Sequence, residues 1–420
     1  MRKLSYIATF AAAVALMAGC SKNQSVVAAV ETDCADAPWA SNSNIPVPII
    51  FGENTDGQSL TTKSEITDMK NVEFGVFAAD TASAASWTAS DDGSNEAMLL
   101  YNRVAKGVVE SGSDINTAQF IEASGNVIRN VTYYYPLQTV TKPNYTFYAY
   151  HITSDKLTRD ANPHAGYLDL DNRTFKVDVK LDSTDILWGK AEAKKLPVPD
   201  GYTGSNQNAL EGFNTKYVRE SRLRYPNTWR REWAPKLAFQ HLTTAFHINI
   251  LTDPEDSEAP ENLKNVKIQN MSIGGVYTQA VLDVVTGDLT PVGSTGSIAI
   301  SLPAGGISPG SVPASTQHAS GYGPLEVGHG IFILPPTAPT ISFDIVMPRP
   351  SVNQTYTYPV TDKELKLPES GEFEAGKSYT FNIIIKSLEA IIIDVSVDEW
   401  EEGFTAADKD AGNDIITEIG

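Results

Sequence analysis

The sequence predicts an all-β protein built from sandwich-like domains. Its apolar residues recur with period two, and helical spacing is scarce. Thirty Gly and 24 Pro punctuate the chain at strand-and-turn intervals. Phe175-Lys-Val-Asp-Val-Lys-Leu-Asp182 alternates apolar and charged residues without a fault, as a half-buried strand must. Packed sheets are the simplest way to bury such faces. With 420 residues, 41% of them apolar, the chain can build two or three cores.

Taken in order, the chain opens on Met1-Arg2-Lys3, an apolar run from Leu4 to Ala18, and Gly19-Cys20. A charged start, an apolar middle too short to span a bilayer comfortably and a small-residue end read as a secretory leader. Leu16-Met17-Ala18-Gly19-Cys20 resembles the lipobox of bacterial lipoproteins, which makes Cys20 the lipidated residue and the mature N-terminus, with Met17 where Leu is commoner. Residues 1–19 are then the leader, and 20–44, rich in Ser, Asn, Ala and Asp, are a spacer from the acyl anchor. The second cysteine, Cys34, lies in that spacer as an incidental thiol.

Ile45-Pro-Val-Pro-Ile-Ile-Phe51 is the first strand, with Ile45, Val47, Ile49 and Phe51 on one face. Pro46 and Pro48 cannot donate to a ladder, so it must be an edge strand or a loosely paired one. Further strands are expected at Val72–Ala78, Asn144–His151, Lys236–Leu251, Val266–Ile273, Ile298–Leu302, Gly330–Leu334, Ile341–Met347, Ser378–Lys386 and Ile391–Val397. Patterning is weakest over 188–235, read as a long loop and a domain joint. The division is therefore an N-terminal sandwich at 45–235, a C-terminal sandwich at 236–400 and an acidic tail at 401–420.

Charge narrows the function. Against 32 Lys+Arg stand 51 Asp+Glu, a formal charge of −19, which moves to about −21 when Arg2 and Lys3 leave with the leader. No positive field exists to neutralise nucleic-acid phosphates or to hold an anionic membrane electrostatically. Two cysteines make neither a disulfide framework nor a Cys-rich metal site. No nucleophile elbow, His-Glu-x-x-His or phosphate-cradling loop occurs, so no catalytic residue, metal ligand or cofactor is assigned. His241 and His247, on one strand, would lie about 20 Å apart, too far to share a metal. Asp408-Lys-Asp-Ala-Gly-Asn-Asp414 misses the EF-hand positions and reads as a solvated tail. A glycosidase, whose two carboxylates leave no local signature, stays open as a weaker alternative.

The loop carries the one basic–aromatic island of the acidic chain: Lys216, Arg219, Arg222, Arg224, Arg230 and Arg231 among Tyr217, Tyr225, Trp229 and Trp233. Tyr217, Trp229 and Trp233 are candidates for stacking a sugar, with Arg224 and Arg230 on acidic groups. Equally, the arginines pair with surplus carboxylates and the rings cover the joint. A surface lipoprotein that binds glycans through this loop is the first alternative reading.

Several segments together resemble the fimbrillin-type pilins of Bacteroides-like bacteria. These are Val72-Glu-Phe-Gly-Val-Phe-Ala78, Tyr133-Tyr-Tyr-Pro136 with Tyr145-Thr-Phe-Tyr-Ala-Tyr150, and Phe239-Gln-His-Leu-Thr-Thr-Ala-Phe246. Phe332-Ile-Leu-Pro335, Ala375-Gly-Lys-Ser-Tyr-Thr-Phe381 and Trp400 continue the series. The resemblance implies two transthyretin-like β-sandwich domains and a lipoprotein precursor of the outer membrane and cell surface. Its partners would be other fimbrial subunits, in a homo- or hetero-polymer, with glycans or proteins of host or bacterial surfaces as adhesion targets. It also implies assembly by strand exchange, in which a protease removes the first strand and a neighbour's C-terminal segment replaces it. Ile45, Val47, Ile49 and Phe51 match the removed strand. Ile415, Ile416 and Ile419, in Asp414-Ile-Ile-Thr-Glu-Ile-Gly420, could supply the donor. Family members typically carry Arg at the cut; here Thr61-Thr-Lys-Ser64 places Lys63 before Ser64, and no Arg lies between Arg2 and Arg103. Either a Lys-directed cut occurs, or the first strand is kept and the subunit caps a pilus base.

Overall fold

The structure, a computed structural model, describes residues 44–51, 72–90, 96–109, 116–124, 127–137, 143–152, 167–169, 171–181, 185–192, 203, 213–224, 234–252, 266–311, 326–336, 338–349, 354–367, 371–385, 391–399 and 415–417. The first half runs β1 (Val47–Pro48), β2 (Glu73–Asp80), β3 (Met98–Val109), β4 (Asn116–Ser124), β5 (Val127–Asn130) and β6 (Tyr134–Tyr135). It continues with β7 (Tyr145–His151), β8 (Tyr167–Asp169), β9 (Thr174–Lys180), β10 (Leu187–Ala191) and helix α1 (Thr215–Arg224). Then follow β11 (Ala238–His241), β12 (Thr244–Thr252), β13 (Lys267–Val276), β14 (Gln279–Asp283), β15 (Leu289–Pro291) and β16 (Gly296–Ala299). The series closes with β17 (Gly310–Ser311), β18 (Glu326–Ile333), β19 (Thr340–Arg349), β20 (Gln354–Glu364), β21 (Lys377–Ile385), β22 (Ile391–Glu399) and β23 (Ile415–Thr417). The chain is all-β, as its period-two pattern requires.

A seven-stranded sheet in the order β11-β10-β7-β2-β3-β4-β5 is the spine of the first half. Both of its faces are covered. Phe74, Val76, Ala78, Phe147 and Ala149 point into a core shared with Val47, Ile49 and Phe51 of the first strand and Tyr217 and Val218 of α1. On the other face Phe77, Tyr148 and Tyr150 meet Phe175 and Val177 of β9 and Ala280 and Leu282 of β14. Phe175 lies between the Phe77 ring at 4.4 Å and the Trp87 ring at 4.9 Å, stacked on both. This explains why Glu73–Asp80 and Tyr145–His151 are buried at every residue. A strand covered on two faces has no wet side to alternate with.

The covering sheet, β15-β14-β9-β8, takes strands from both halves of the chain. Lys176–Lys180 pairs antiparallel with Gln279–Asp283. Trp188 of β10 fastens the β14–β15 hairpin: its indole N–H donates to the Val284 carbonyl at 2.8 Å, and its ring lies against Gly287. The second half is a simpler sandwich. β17-β12-β21-β22-β23, with β18 also on β12, faces β16-β13-β19-β20. Phe246, Ile248, Ile268, Ile273, Ile341, Phe343, Phe381 and Ile383 fill the space between.

Two expectations are corrected. Lys236–Leu251, read as one strand, breaks at Leu242–Thr243: β11 joins the first-half sheet, and β12 joins the second-half sandwich. His241 and His247 therefore belong to different strands. Asp185 holds the crossover, its carboxylate 3.0 and 2.8 Å from His241 Nδ1 and accepting from the Thr243 hydroxyl at 3.3 Å. The stretch 188–235, read as loop, contains the end of β10 and all of α1. Asn214 starts that helix, its side-chain oxygen accepting from the Tyr217 N–H at 2.9 Å.

Candidate strand-exchange site

The first strand is a buried side-chain anchor on a minimal ladder. Val47 is 0%, Ile49 5% and Phe51 1% exposed. The Phe51 ring lies 5.1 Å from Phe120, 6.2 Å from Phe147 and 6.3 Å from Phe74. By contrast, among the described residues the strand's backbone ladder is the pairs Val47–Tyr135 and Pro48–Tyr134, with a further bond from Ile49 N–H to the Tyr133 carbonyl at 2.8 Å. Each buried side chain contributes roughly 1.5–3 kcal/mol. A net backbone hydrogen bond contributes roughly 0.5–1.5 kcal/mol. The hold is therefore mostly hydrophobic.

Strand parity explains the prolines. Ile49 is hydrogen-bonded to β6, so the alternate residues Pro46 and Pro48 face away from that ladder. Their missing N–H groups cost β1 no rung, and they leave its other edge without donors at those positions.

Helix α1 lies against the open end of this β1–β6 ribbon. The Thr215 hydroxyl donates to the Pro136 carbonyl at 2.6 Å, and the Arg219 guanidinium donates to the Ile45 carbonyl. The Tyr145 N–H donates to the Phe213 carbonyl at 3.2 Å, tying the helix start to the main sheet. Beneath, the Tyr145 hydroxyl donates to the Glu96 carbonyl at 2.7 Å; on the opposite face of the sheet the Tyr150 hydroxyl donates to Asn102 at 2.7 Å. Burial raises the pKa of Tyr135, Tyr145 and Tyr150 well above the ordinary phenol range, and pushes Tyr148 up to about 12. The rings are neutral packing elements.

The sequence-predicted residues divide accordingly. Ile45 is half-buried, and Val47, Ile49 and Phe51 are buried together in the first-half core. Ile415 and Ile416 lie in β23, which pairs antiparallel with β22 across Val395–Ile415, Asp394–Ile416 and Ile393–Thr417. The described end of the tail thus lies on its own C-terminal sheet. Tyr217, read as a stacking platform, is a core residue instead: it is 1% exposed, with its ring 5.7 Å from Phe213. A buried ring offers no face to a sugar. Arg224 ends α1. Cys20, Lys63, Ser64, Trp229, Arg230, Trp233 and Ile419 lie outside the described residues. Lys63 falls in the connection 52–71 between β1 and β2, so a cut there would leave β1 attached by non-covalent contacts alone. Sequence reasoning missed Arg219 and Thr215 as partners of the first strand. The cap Asn214 and the run Thr215-Lys-Tyr-Val-Arg219 were the available signal for a helix there.

Residues 227–400 match the model of the fimbrillin-like family. Among solved structures, a candidate cell adhesion protein from Bacteroides uniformis is 16% identical with a TM-score of 0.41, the match covering 86% of this chain and 99% of that one. A fimbrial protein from Bacteroides vulgatus is 14% identical with a TM-score of 0.41, covering 84% of this chain and 99% of that one. Both likenesses are too distant to bear on function. No curated protein matches the chain.

Proposed function

We propose, with the fimbrillin-like match over residues 227–400 as premise, that the chain is a subunit of cell-surface fimbriae and serves adhesion. It is exported as a lipoprotein acylated at Cys20, held at the outer membrane and joined to neighbouring subunits by strand exchange. The observation that supports exchange most is the first strand. Val47, Ile49 and Phe51 fill the core while the ladder among the described residues is only two pairs long, an arrangement another strand of like pattern can replace. A cut after Lys63 would free β1 for that replacement. The donor would be the segment around Ile415–Ile419, which must first leave β22. The net charge of −19 keeps such subunits soluble until they join. The chain acts as a structural component, without an enzymatic role.

Intact-mass analysis of the protein from native fibres tests this reading. A polymerising subunit should begin near Ser64. A mature form beginning at Cys20 would refute processing and leave the role of a base-capping anchor. Glycan capture lost on Trp229→Ala with Trp233→Ala would instead favour the binding alternative.

A further inference from the structure

Two carbonyls mark the open end of the β1–β6 ribbon, and α1 takes both. The antiparallel register sets Val47 against Tyr135, so the next hydrogen-bonding position would oppose Ile45 to Leu137. In place of that rung the Ile45 carbonyl accepts from the Arg219 guanidinium; the Pro136 carbonyl, which the same parity turns to the other edge of β6, accepts from the Thr215 hydroxyl. One turn of helix separates the two donors. The same helix is anchored by Phe213 on Tyr145 and by Tyr217 and Val218 in the core that holds Val47, Ile49 and Phe51.

We propose that α1, itself fixed in the core, is a gate on the first strand, latched by Arg219 on the Ile45 carbonyl. Pro46 and Pro48 have no N–H, so the main chain of Ile45–Pro48 has few ways to be held. A bond from a charged donor is stronger than a neutral rung, and it falls where the strand would otherwise fray first. With the latch closed, β1 leaves only by lifting its end and its side chains together. With it open, the strand peels from Ile45 toward Phe51. Its use in assembly rests on the proposed strand exchange, but the gate itself is a property of the isolated chain.

Hydrogen exchange read by mass spectrometry on the full chain tests it. Arg219→Ala should speed exchange over residues 45–51, including the Ile49 amide, by about tenfold, as loss of a charge-assisted bond implies. Residues 98–109 in β3 should exchange as in the wild type. Ala preserves helix propensity, so α1 itself should survive the change. Arg219→Gln, which keeps a neutral donor, should fall between the two. Exchange over 45–51 at the wild-type rate in Arg219→Ala overturns the gate, and so does an equal rise in β3, which would mean general loosening. Should Arg219→Ala not fold, Arg219→Gln decides alone: wild-type protection of 45–51 overturns the gate, and faster exchange confined to 45–51 supports it. A failed gate leaves the mass test of strand removal unaffected, and a chain that begins at Cys20 leaves the gate intact.

Discussion

Two central strands, β7 in the first half and β13 in the second, obey different rules. Tyr145–His151 is buried at all seven positions, whereas Lys267–Val276 mixes buried residues such as Ile268, Met271 and Ile273 with exposed ones such as Lys267 and Asn270. Both are central in their sheets. The difference is the number of layers: β7 is covered by the β1–β6–α1 side and by the β8–β9–β14–β15 sheet, whereas β13 packs one face against the sandwich core. An aromatic run that breaks alternation therefore signals a strand with two dry faces.

The largest effects should come from neighbouring residues of β7. Phe147→Ala and Tyr148→Ala point to opposite cores, and each should cost about 3–5 kcal/mol in denaturant unfolding. On β13, Ile268→Ala should cost about 2–5 kcal/mol, but its neighbour Gln269→Ala only about 0.5 kcal/mol. A mild Tyr148→Ala would mean that the second face of the first-half sheet is not closed, and the comparison would fail.

A smaller effect tests the interlock between the halves. Gly287 has φ +83°, and a Cβ there would meet the Trp188 ring at 2.7 Å. Gly287→Ala should cost about 2–3 kcal/mol, from positive φ and from the ring's displacement. Gly293, at φ +80° with open space around it, isolates the backbone part, and Gly293→Ala should cost about 1 kcal/mol. Equal costs would show that the Trp188 contact contributes nothing to the join.

The mildest probes are pH profiles. Burial lowers the pKa of His151 below its ordinary 6.5, while its Nδ1 lies 2.8 Å from the Glu73 carbonyl and Asp185 and Glu73 act against that shift. Above pH 6.5 both states hold a neutral imidazole; below it the unfolded chain takes up the proton first, so stability falls as pH drops. Replacing His151 with Gln should flatten that slope below about pH 6.5. At the alkaline end the signs reverse in charge but not in consequence. The phenols of Tyr135, Tyr145, Tyr148 and Tyr150 ionise late in the fold, so stability should fall as pH rises past about 10. Urea titrations at pH 8 and 11 measure the loss, and an unchanged midpoint would contradict the burial of these rings.

Much of this architecture was legible in the sequence. Phe175–Asp182 alternates in the chain, and Phe175–Lys180 alternates in burial, because one of its faces meets Phe77 and the other does not. Ile45–Phe51 carried both of its properties openly, an apolar face and two prolines that bar a central ladder position. The crossover at Leu242–Thr243 was not legible. The apolar phase does shift there, from Leu237 and Phe239 to Phe246, Ile248 and Ile250, but the partners Ile186, Asp185 and Gly376 decide which sheet each side joins.

The same division holds for the candidate site. Composition and local pattern by themselves determined the all-β class, the acidity and the apolar face of the first strand, because each depends only on neighbours along the chain. Tertiary structure alone decided that Tyr217 is core, that β9 and β14 share a sheet across about a hundred residues, and that Arg219 closes on Ile45. Those depend on which surfaces meet in space, and a side chain's own period cannot specify the layer that will cover it.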